Sequence, residues 1–534
     1  MPEADALYPR RWWTLATLCL SLLIVFVGNS SLNVAIPTLS RVLHASTSEL
    51  QWVVAAYSLA FAGLLFTAGA LGDRFGRKGA LQLGLVGFLA AAVLASASTA
   101  MWQLIVSRAL MGACAAFIMP STLSILVNVF PPHERAKAIA IWAGVSGGAG
   151  AIGPVASGWL LGNFWFGSVF LINVPIIAAA LALGAFLVPR SKDPQQARLD
   201  LVGAGLSIVG ISSLVYGLIQ APDKGWSSTQ TIAAFVLAVI VLVVFVLWES
   251  RVEEPMLDMS FFRNPAFSTA TGGMILVFLS MFGVMFLITQ YFQLILGYSP
   301  LSAALRFLPM APIMMIVSPL TPAIITRLGA NRTVAAGMGL VSLGFLSFSF
   351  LAVNTSYLYV LLCLFFLVSG IALTMSPMTA AIMSAVPPRR AGAGSAMNDA
   401  TRELGAALGV AVLGSVAASR YAAGIKTAIG HLAPVDQASA RASLGTALQT
   451  ASRLPKDAAA RLTSAADHAF VAGIHFATIT GAVLALCASL LVLRFLPRQI
   501  AQHGAVHGAI DAAENMAELG IGGIPPVLVD TTNE

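Results

Sequence analysis

Long apolar runs alternate with short polar gaps along most of the chain. A membrane-crossing helix needs about 20 apolar residues, and fourteen runs approach or exceed that length. They cover approximately 12–36, 51–71, 81–98, 103–127, 138–161, 169–188, 201–220, 231–248, 268–290, 301–325, 333–353, 357–383, 395–418 and 469–496. The gap over 420–468 is the exception. It is long and Ala-rich, with spaced charges, a texture that predicts partial helix.

Composition narrows the class. The chain has 534 residues, 58% of them hydrophobic and 10% charged, with a mean hydropathy of +0.86. Soluble domains carry about 25% charged residues, so this chain lacks the polar surface of a large soluble enzyme. The formal charge is +7, but the Lys and Arg residues recur in the gaps between runs rather than on one tail or face. That distribution points to membrane orientation, not to nucleic acid. With the N-terminus inside, the inside gaps hold Arg74, Arg77, Lys78, Arg135, Lys137, Lys192, Arg198, Arg263, Arg327, Arg389 and Arg390, among others, and the short outside gaps hold only Arg41 and Lys224. One missed span would invert every later gap. Both termini are therefore expected in the cytoplasm. Arg10 and Arg11 precede a run too long for a cleaved signal, which reads as the first span. Cys19, Cys114, Cys363 and Cys487 lie far apart inside apolar runs, in no metal or redox spacing.

Two halves echo each other. GDRFGRK (72–78) follows span two and TRLGANR (326–332) follows span ten, so Arg74 matches Arg327 and Gly76 matches Gly329 at an offset of 253. FPPHERA (130–136) follows span four and VPPRRA (386–391) follows span twelve, with Pro131–Pro132 matching Pro387–Pro388 at an offset of 256. Recurrence at one offset argues for duplication. The expected architecture is all-α and integral to the membrane, with two pseudo-symmetric six-helix halves and two inserted helices. Its segments are a cytoplasmic N-terminus (1–11), a first half (12–188), a linker with two extra helices (189–250), a second half (251–496) and a cytoplasmic tail (497–534), where Asp511, Glu514 and Glu518 stand at helical spacing. Parallel halves of this kind are typical of secondary transporters, with the site at their interface near the midplane.

The strongest motif is GALGDRFGRKGAL (69–81). A tight turn needs glycine at Gly72 and Gly76, and Asp73 can accept from helix N-terminal amides or from Arg74 and Arg77, forming a latch that releases when the halves rock. This stretch resembles the loop signature of the major facilitator superfamily, with Gly69, Asp73, Arg74, Gly76, Arg77 and Lys78 in place. RALMGACAA (108–116) resembles its span-four signature, and GAGAIGPVASG (148–158) its span-five antiporter signature, centred on Gly153 and Pro154. Gly148, Gly150 and Gly153 thin span five and Pro154 bends it. With FLINVPI in span six, EPMLDMSFFRNPAF before span nine and NDATRELGAALGVA opening span thirteen, the chain resembles the fourteen-helix drug:proton antiporters over roughly residues 12 to 496. The resemblance implies a bacterial inner-membrane exporter of lipophilic or amphipathic small molecules, exchanging them for protons. No G-x-x-x-x-G-K-[ST] pattern suggests ATP, and no paired carboxylates, metal cluster or nucleophile elbow suggests an enzyme, a cofactor or a resident metal.

Three ionisable residues are proton-coupling candidates. Arg108 stands alone in an apolar helix, at a cost of about 2.5 kcal/mol or more, and either faces a cavity or snorkels to the outer interface. Asp399 and Glu403 are four apart at the opening of span thirteen, with Arg402 between them. They read as a structural charge cluster or as a proton-handling pair. His475, alone in span fourteen, reads as a hydrogen-bonded core residue.

The family's span-one pattern resembles LDxTxxNVALP. Aligning Asn33, Val34, Ala35 and Pro37 puts Gly28 at the usual Asp and Ser30 at the usual Thr. A carboxylate in a membrane cavity can trade a proton for a cation, so its absence leaves open an uncoupled or differently coupled carrier of the same fold. The resemblance places span one at the central cavity, making Asn29, Ser30 and Asn33 cavity candidates, with Tyr57 of span two. Span nine faces span one by the repeat and adds Phe286, Gln290 and Gln293, an aromatic and amide mixture suited to flat lipophilic molecules; its aromatics read equally as interfacial anchors. On the latch reading, Asp73→Asn slows transport with little effect on substrate affinity. A large affinity change at normal turnover, measured in vesicle transport assays, would contradict it.

Overall fold

The computed structural model describes residues 10–191, 200–253, 255, 257–386 and 391–498. The predicted N-terminal segment and tail lie largely outside them, as do Lys192, Arg198, Arg389, Arg390 and the Pro387–Pro388 side of the repeat. The described residues hold helices and no strand. In chain order these are α1 (Arg11–Val42), α2 (Thr47–Phe75), α3 (Arg77–Ser96), α4 (Met101–Val129), α5 (Pro132–Asn163), α6 (Ser168–Leu171), α7 (Asn173–Leu187), α8 (Leu201–Lys224), α9 (Thr229–Glu249), α10 (Pro265–Gln290), α11 (Pro300–Leu305), α12 (Met310–Leu328), α13 (Ala330–Phe348), α14 (Tyr357–Ser384), α15 (Ala391–Ile429), α16 (Pro434–Ala442), α17 (Leu444–Ala451) and α18 (Lys456–Phe495).

Among the described residues, 12 helical spans are long and apolar enough to cross a membrane. The remaining two predicted runs, 138–161 and 333–353, fall on α5 and α13. Local chemistry sets the ends. Ser46 and Glu49 close a reciprocal capping box on α2, with Ser46 N–H donating to Glu49 Oε2 at 2.9 Å. Asn264 caps α10 and Pro265 opens it. Gly76 and Gly329, matched by the repeat, have φ of +121° and +86° and separate α2 from α3 and α12 from α13. Side chains rarely adopt that backbone, so each turn depends on its glycine.

The 420–468 gap proves more helical than its texture alone conveys. α15 and α18 have 39 and 40 residues, about twice what the hydrocarbon requires, so both run on past the apolar zone. α16 and α17 lie between them.

Helices α1, α5 and α7 pack together, as do α2, α3 and α4; α10, α14, α15, α13 and α18 form a second group. Between helices in lipid, close packing replaces the hydrophobic drive. A Cβ on Gly112 would stand 2.1 Å from the Tyr57 carbonyl oxygen, and one on Gly409 would stand 2.3 Å from that of Leu279. α2 with α15, α1 with α10 and α5 with α11 join the groups, and α8, paired with α9, packs against both α2 and α15.

These close approaches predict a contrast. Gly112→Leu should remove most monodisperse, folded protein from detergent extracts, because the obstacle is backbone. Gly162→Leu, where a Cβ meets nothing within 4 Å, should leave the yield unchanged. Size-exclusion chromatography reads both.

Candidate functional site

Arg108 is the largest fully buried polar side chain among the described residues. Its Nε donates to the Val53 carbonyl at 3.1 Å, Nη1 to the Gly28 carbonyl at 3.2 Å and Nη2 to Asn29 Oδ1 at 3.3 Å. The guanidinium carbon lies 4.4 Å from the centroid of the Tyr57 ring, within cation–π range. Tyr57 in turn donates to the Val25 carbonyl at 3.4 Å. One side chain of α4 thus ties α1 to α2 through carbonyls, an amide and a ring. It does not snorkel, and among the described residues it makes no ion pair within 4 Å.

Neighbouring positions of span one face different ways. The side of residue 28 faces inward packing: a Cβ there would lie 3.0 Å from Phe88 Cζ and 3.7 Å from Asn173 Nδ2. The side chain that meets Arg108 comes from Asn29. Ser30 donates to the Phe26 carbonyl at 2.8 Å and lies against Gly153, where a Cβ would stand 2.1 Å from its Oγ. Ser31 donates to the Gly153 carbonyl at 3.1 Å and Ser157 to the Ser31 carbonyl at 2.8 Å. Gly153 and Pro154 therefore belong to the α1–α5 crossing.

Asn33 is buried on α1, next to Val34, whose carbonyl meets α10. α10 ends in a π-helical turn, Tyr291–Ile295, a local widening common at functional positions. From it Gln293 donates to the Val34 carbonyl at 2.9 Å. Gln290 donates to the Phe286 carbonyl at 3.0 Å, and Phe286 is fully buried. Asn33 Oδ1, Thr289 Oγ1 and Gln293 Oε1 are buried without a hydrogen-bond partner. Unpaired buried polar atoms of this kind are costly.

The two carboxylates of α15 part company. Asp399 pairs loosely with Arg402, at 3.9 Å. Glu403 reaches across to α2, where Ser58 donates to its Oε2 at 2.7 Å. Two turns along the same face of α2, Gln51 donates to the Val410 carbonyl of α15 at 2.9 Å. Sequence reasoning missed both α2 residues. Their spacing of seven puts them on one helical face, a signal available in an otherwise apolar run. Further cross-links follow towards the loop after α1: Thr47 to the Ala442 carbonyl at 3.0 Å and Ser40 Oγ to Ser443 Oγ at 3.1 Å. The bonds described here between the two groups thus run from mid-helix to that one end.

At the opposite end, Arg77 Nε sits 2.6 Å from Asp73 Oδ1, an ion pair within its own turn. Arg77 N–H donates to the Ser191 carbonyl at 3.0 Å and Lys78 to the Ala185 carbonyl at 2.7 Å. Arg74 lies near the Phe75 ring, and Gly69 backs onto Pro120 of α4. His475 bonds the Leu351 carbonyl at 2.6 Å, as a core histidine does.

Comparison with known proteins adds a family and relatives. The family model for the Major Facilitator Superfamily matches residues 18–410. The multidrug efflux pump LfrA of Mycolicibacterium smegmatis is 34% identical over 492 residues, 92% of this chain and 97% of the relative. The tetracenomycin C resistance and export protein of Streptomyces glaucescens is 32% identical over 499 residues, 91% and 92% of the two chains. The methyl viologen resistance protein SmvA of Salmonella typhimurium is 34% identical over 465 residues, 86% and 93%. Among solved structures, a bacterial homologue of the human lysosomal transporter Spinster, inward-facing, gives a TM-score of 0.61 at 16% identity, covering 91% of this chain and 98% of that one. The inward-open xylose transporter XylE from E. coli gives 0.57 at 12% identity, covering 92% and 98%.

The Arg108 geometry separates two substitutions at adjacent positions. Asn29→Asp should fold with wild-type yield, since its carboxylate replaces an amide already 3.3 Å from the guanidinium. Gly28→Asp should destabilise the fold by roughly 1–3 kcal/mol through overpacking against Phe88. Thermal unfolding in detergent checks the order; the reverse ranking would refute the placement of Arg108.

Proposed function

Because the chain belongs to the Major Facilitator Superfamily, we propose that it is a secondary active exporter of lipophilic and amphipathic small molecules, working by alternating access and exchanging substrate for protons. It crosses a bacterial inner membrane fourteen times with both termini in the cytoplasm, its halves spanning 12–188 and 251–496 and the α8–α9 hairpin inserted between them. The named activities of its relatives support drug or antibiotic efflux as the direction of work.

The observation that carries the coupling is the Ser58–Glu403 bond across the α2–α15 seam. An ionised carboxylate is a strong acceptor, and Glu403 is partly exposed, so a proton or a substrate cation can reach it. Either one takes charge away from the Ser58 bond and loosens the seam. An empty, ionised carrier keeps the bond and stays closed at the end of the loop after α1. Antiport needs this logic: loaded forms switch and the empty form does not. Arg108 holds α1, α2 and α4 as one unit beside the seam and keeps a positive charge near Glu403. Asn33, Thr289 and Gln293 offer oxygens to substrate donors, Phe286 supplies apolar bulk on the same helix as Thr289, and Tyr57 backs the Arg108 guanidinium. Gly69, Asp73, Arg74, Gly76 and Arg77 form a stiff turn that moves with the first half, while Gly153 and Pro154 set the α1–α5 crossing it pivots beside.

Proteoliposomes holding the full chain and a pH-sensitive dye test this reading, with methyl viologen and puromycin as probes. Wild type should release protons when either probe is added, and Glu403→Gln should slow gradient-driven probe movement by about tenfold or more. Asp399→Asn should lose less. Undiminished proton exchange in Glu403→Gln would overturn the coupling, and probe movement with no protons in wild type would favour an uncoupled carrier.

A further inference from the structure

A second concave feature lies away from the seam. The opening turns of α10 and the closing turns of α18 flank a groove of about 520 Å³. Its walls include Leu276, Leu491 and Phe495, with Thr269 part-way along and Arg263 at the rim. Gly272 lines it, and a Cβ there would meet nothing within 4 Å, so the groove is open at this position. Its neighbour Gly273 faces the other way, onto Met378 of α14. Leu491 and Phe495 are 56% and 50% exposed, so the groove opens sideways, where a membrane protein meets lipid.

Charge and position narrow the occupant. α10 begins at Pro265 and α18 ends at Phe495, so Arg263 stands at the level where apolar helix gives way to polar chain. From Pro265 to Leu276 the helix rises about 16 Å, enough for the upper part of an acyl chain. Arg263 is exposed and makes no hydrogen bond or ion pair among the described residues. Arg494 lies at the same end, its guanidinium 5.5 Å from the Phe495 ring centroid. The nearby Asp258 carboxylate caps its own turn, accepting from Ser260 N–H at 2.9 Å. A cationic amphiphile would meet like charge at the rim. An anionic lipid would meet opposite charge there and hydrocarbon below it, the arrangement by which basic pockets between helices take acidic headgroups.

We propose that the α10–α18 groove binds an anionic phospholipid, its phosphate paired with Arg263 and one acyl chain laid over Gly272. The site is separate from the Ser58–Glu403 seam and does not depend on the transport reading.

The test uses the full chain in a neutral detergent, with phosphatidylglycerol and phosphatidylcholine of identical chains added separately while thermal unfolding is followed. Phosphatidylglycerol should raise the unfolding temperature saturably, at a concentration about fivefold to tenfold lower than phosphatidylcholine. Arg263→Gln should abolish that preference, and Gly272→Leu should weaken the effect of both lipids by filling the groove. Arg263→Gln alters an exposed side chain and carries the test by itself if Gly272→Leu fails to fold. Equal potency of the two lipids in wild type, or a preference retained in Arg263→Gln, would overturn the proposal. So would stabilisation by inorganic phosphate equal to that by the lipid, or displacement of phosphatidylglycerol by methyl viologen.

Discussion

A guanidinium buried among apolar helices costs several kcal/mol unless its donors are met. Arg108 meets that constraint with the Gly28 and Val53 carbonyls, the Asn29 amide and the Tyr57 ring. The consequence is mechanical. Three helices of the first half are pinned at one depth, and any rearrangement that moved α1 or α2 away from α4 would strand a charge. On the proposed function, motion falls at the boundary with α15, which the Ser58 and Gln51 hydrogen bonds and small apolar side chains bridge.

The α8–α9 hairpin fits that division. Ser48 donates to the Ile219 carbonyl at 3.2 Å and Ser415 to the Leu218 carbonyl at 2.6 Å, so α8 is bonded to both sides of the α2–α15 seam. Ala55, Ala407, Ala411 and Ile219 fill the space between the three helices with small and branched side chains. α9 lies outside it, its apolar side chains largely exposed, as lipid contact allows. The hairpin covers the seam from the bilayer side near the Ser58–Glu403 bond. On the proposed function, this screens a working carboxylate from hydrocarbon and leaves it approachable from within.

Much of this was legible in the chain. Every predicted run falls on a helix because hydrophobic length is a coarse and robust signal. The paired turns at Gly76 and Gly329 were legible because a positive φ restricts the residue type. Rotation about a helix axis was not legible, so nothing in the sequence said that Asn29 is the span-one side chain that meets Arg108. A shift of one residue turns a side chain by about 100°, and no apolar run encodes its own azimuth. Ser58 and Gln51 escaped notice because their importance comes from α15, more than 340 residues away in sequence. The lengthened ends of α15 and α18 were obscured by polar, Ala-rich texture, which suits a helix in water as well as a loop.

The central claim is that the ionised Glu403 holds the seam shut through Ser58. The most direct measurement is the distance between spin labels at His44 and Val435, both exposed beyond the apolar zone, in a chain whose four native cysteines are replaced by alanine, without substrate. The account predicts one short distance at high pH, a second and longer population on acidification, and the longer population at every pH in Glu403→Gln. A distribution that ignores both pH and the loss of the carboxylate would contradict it.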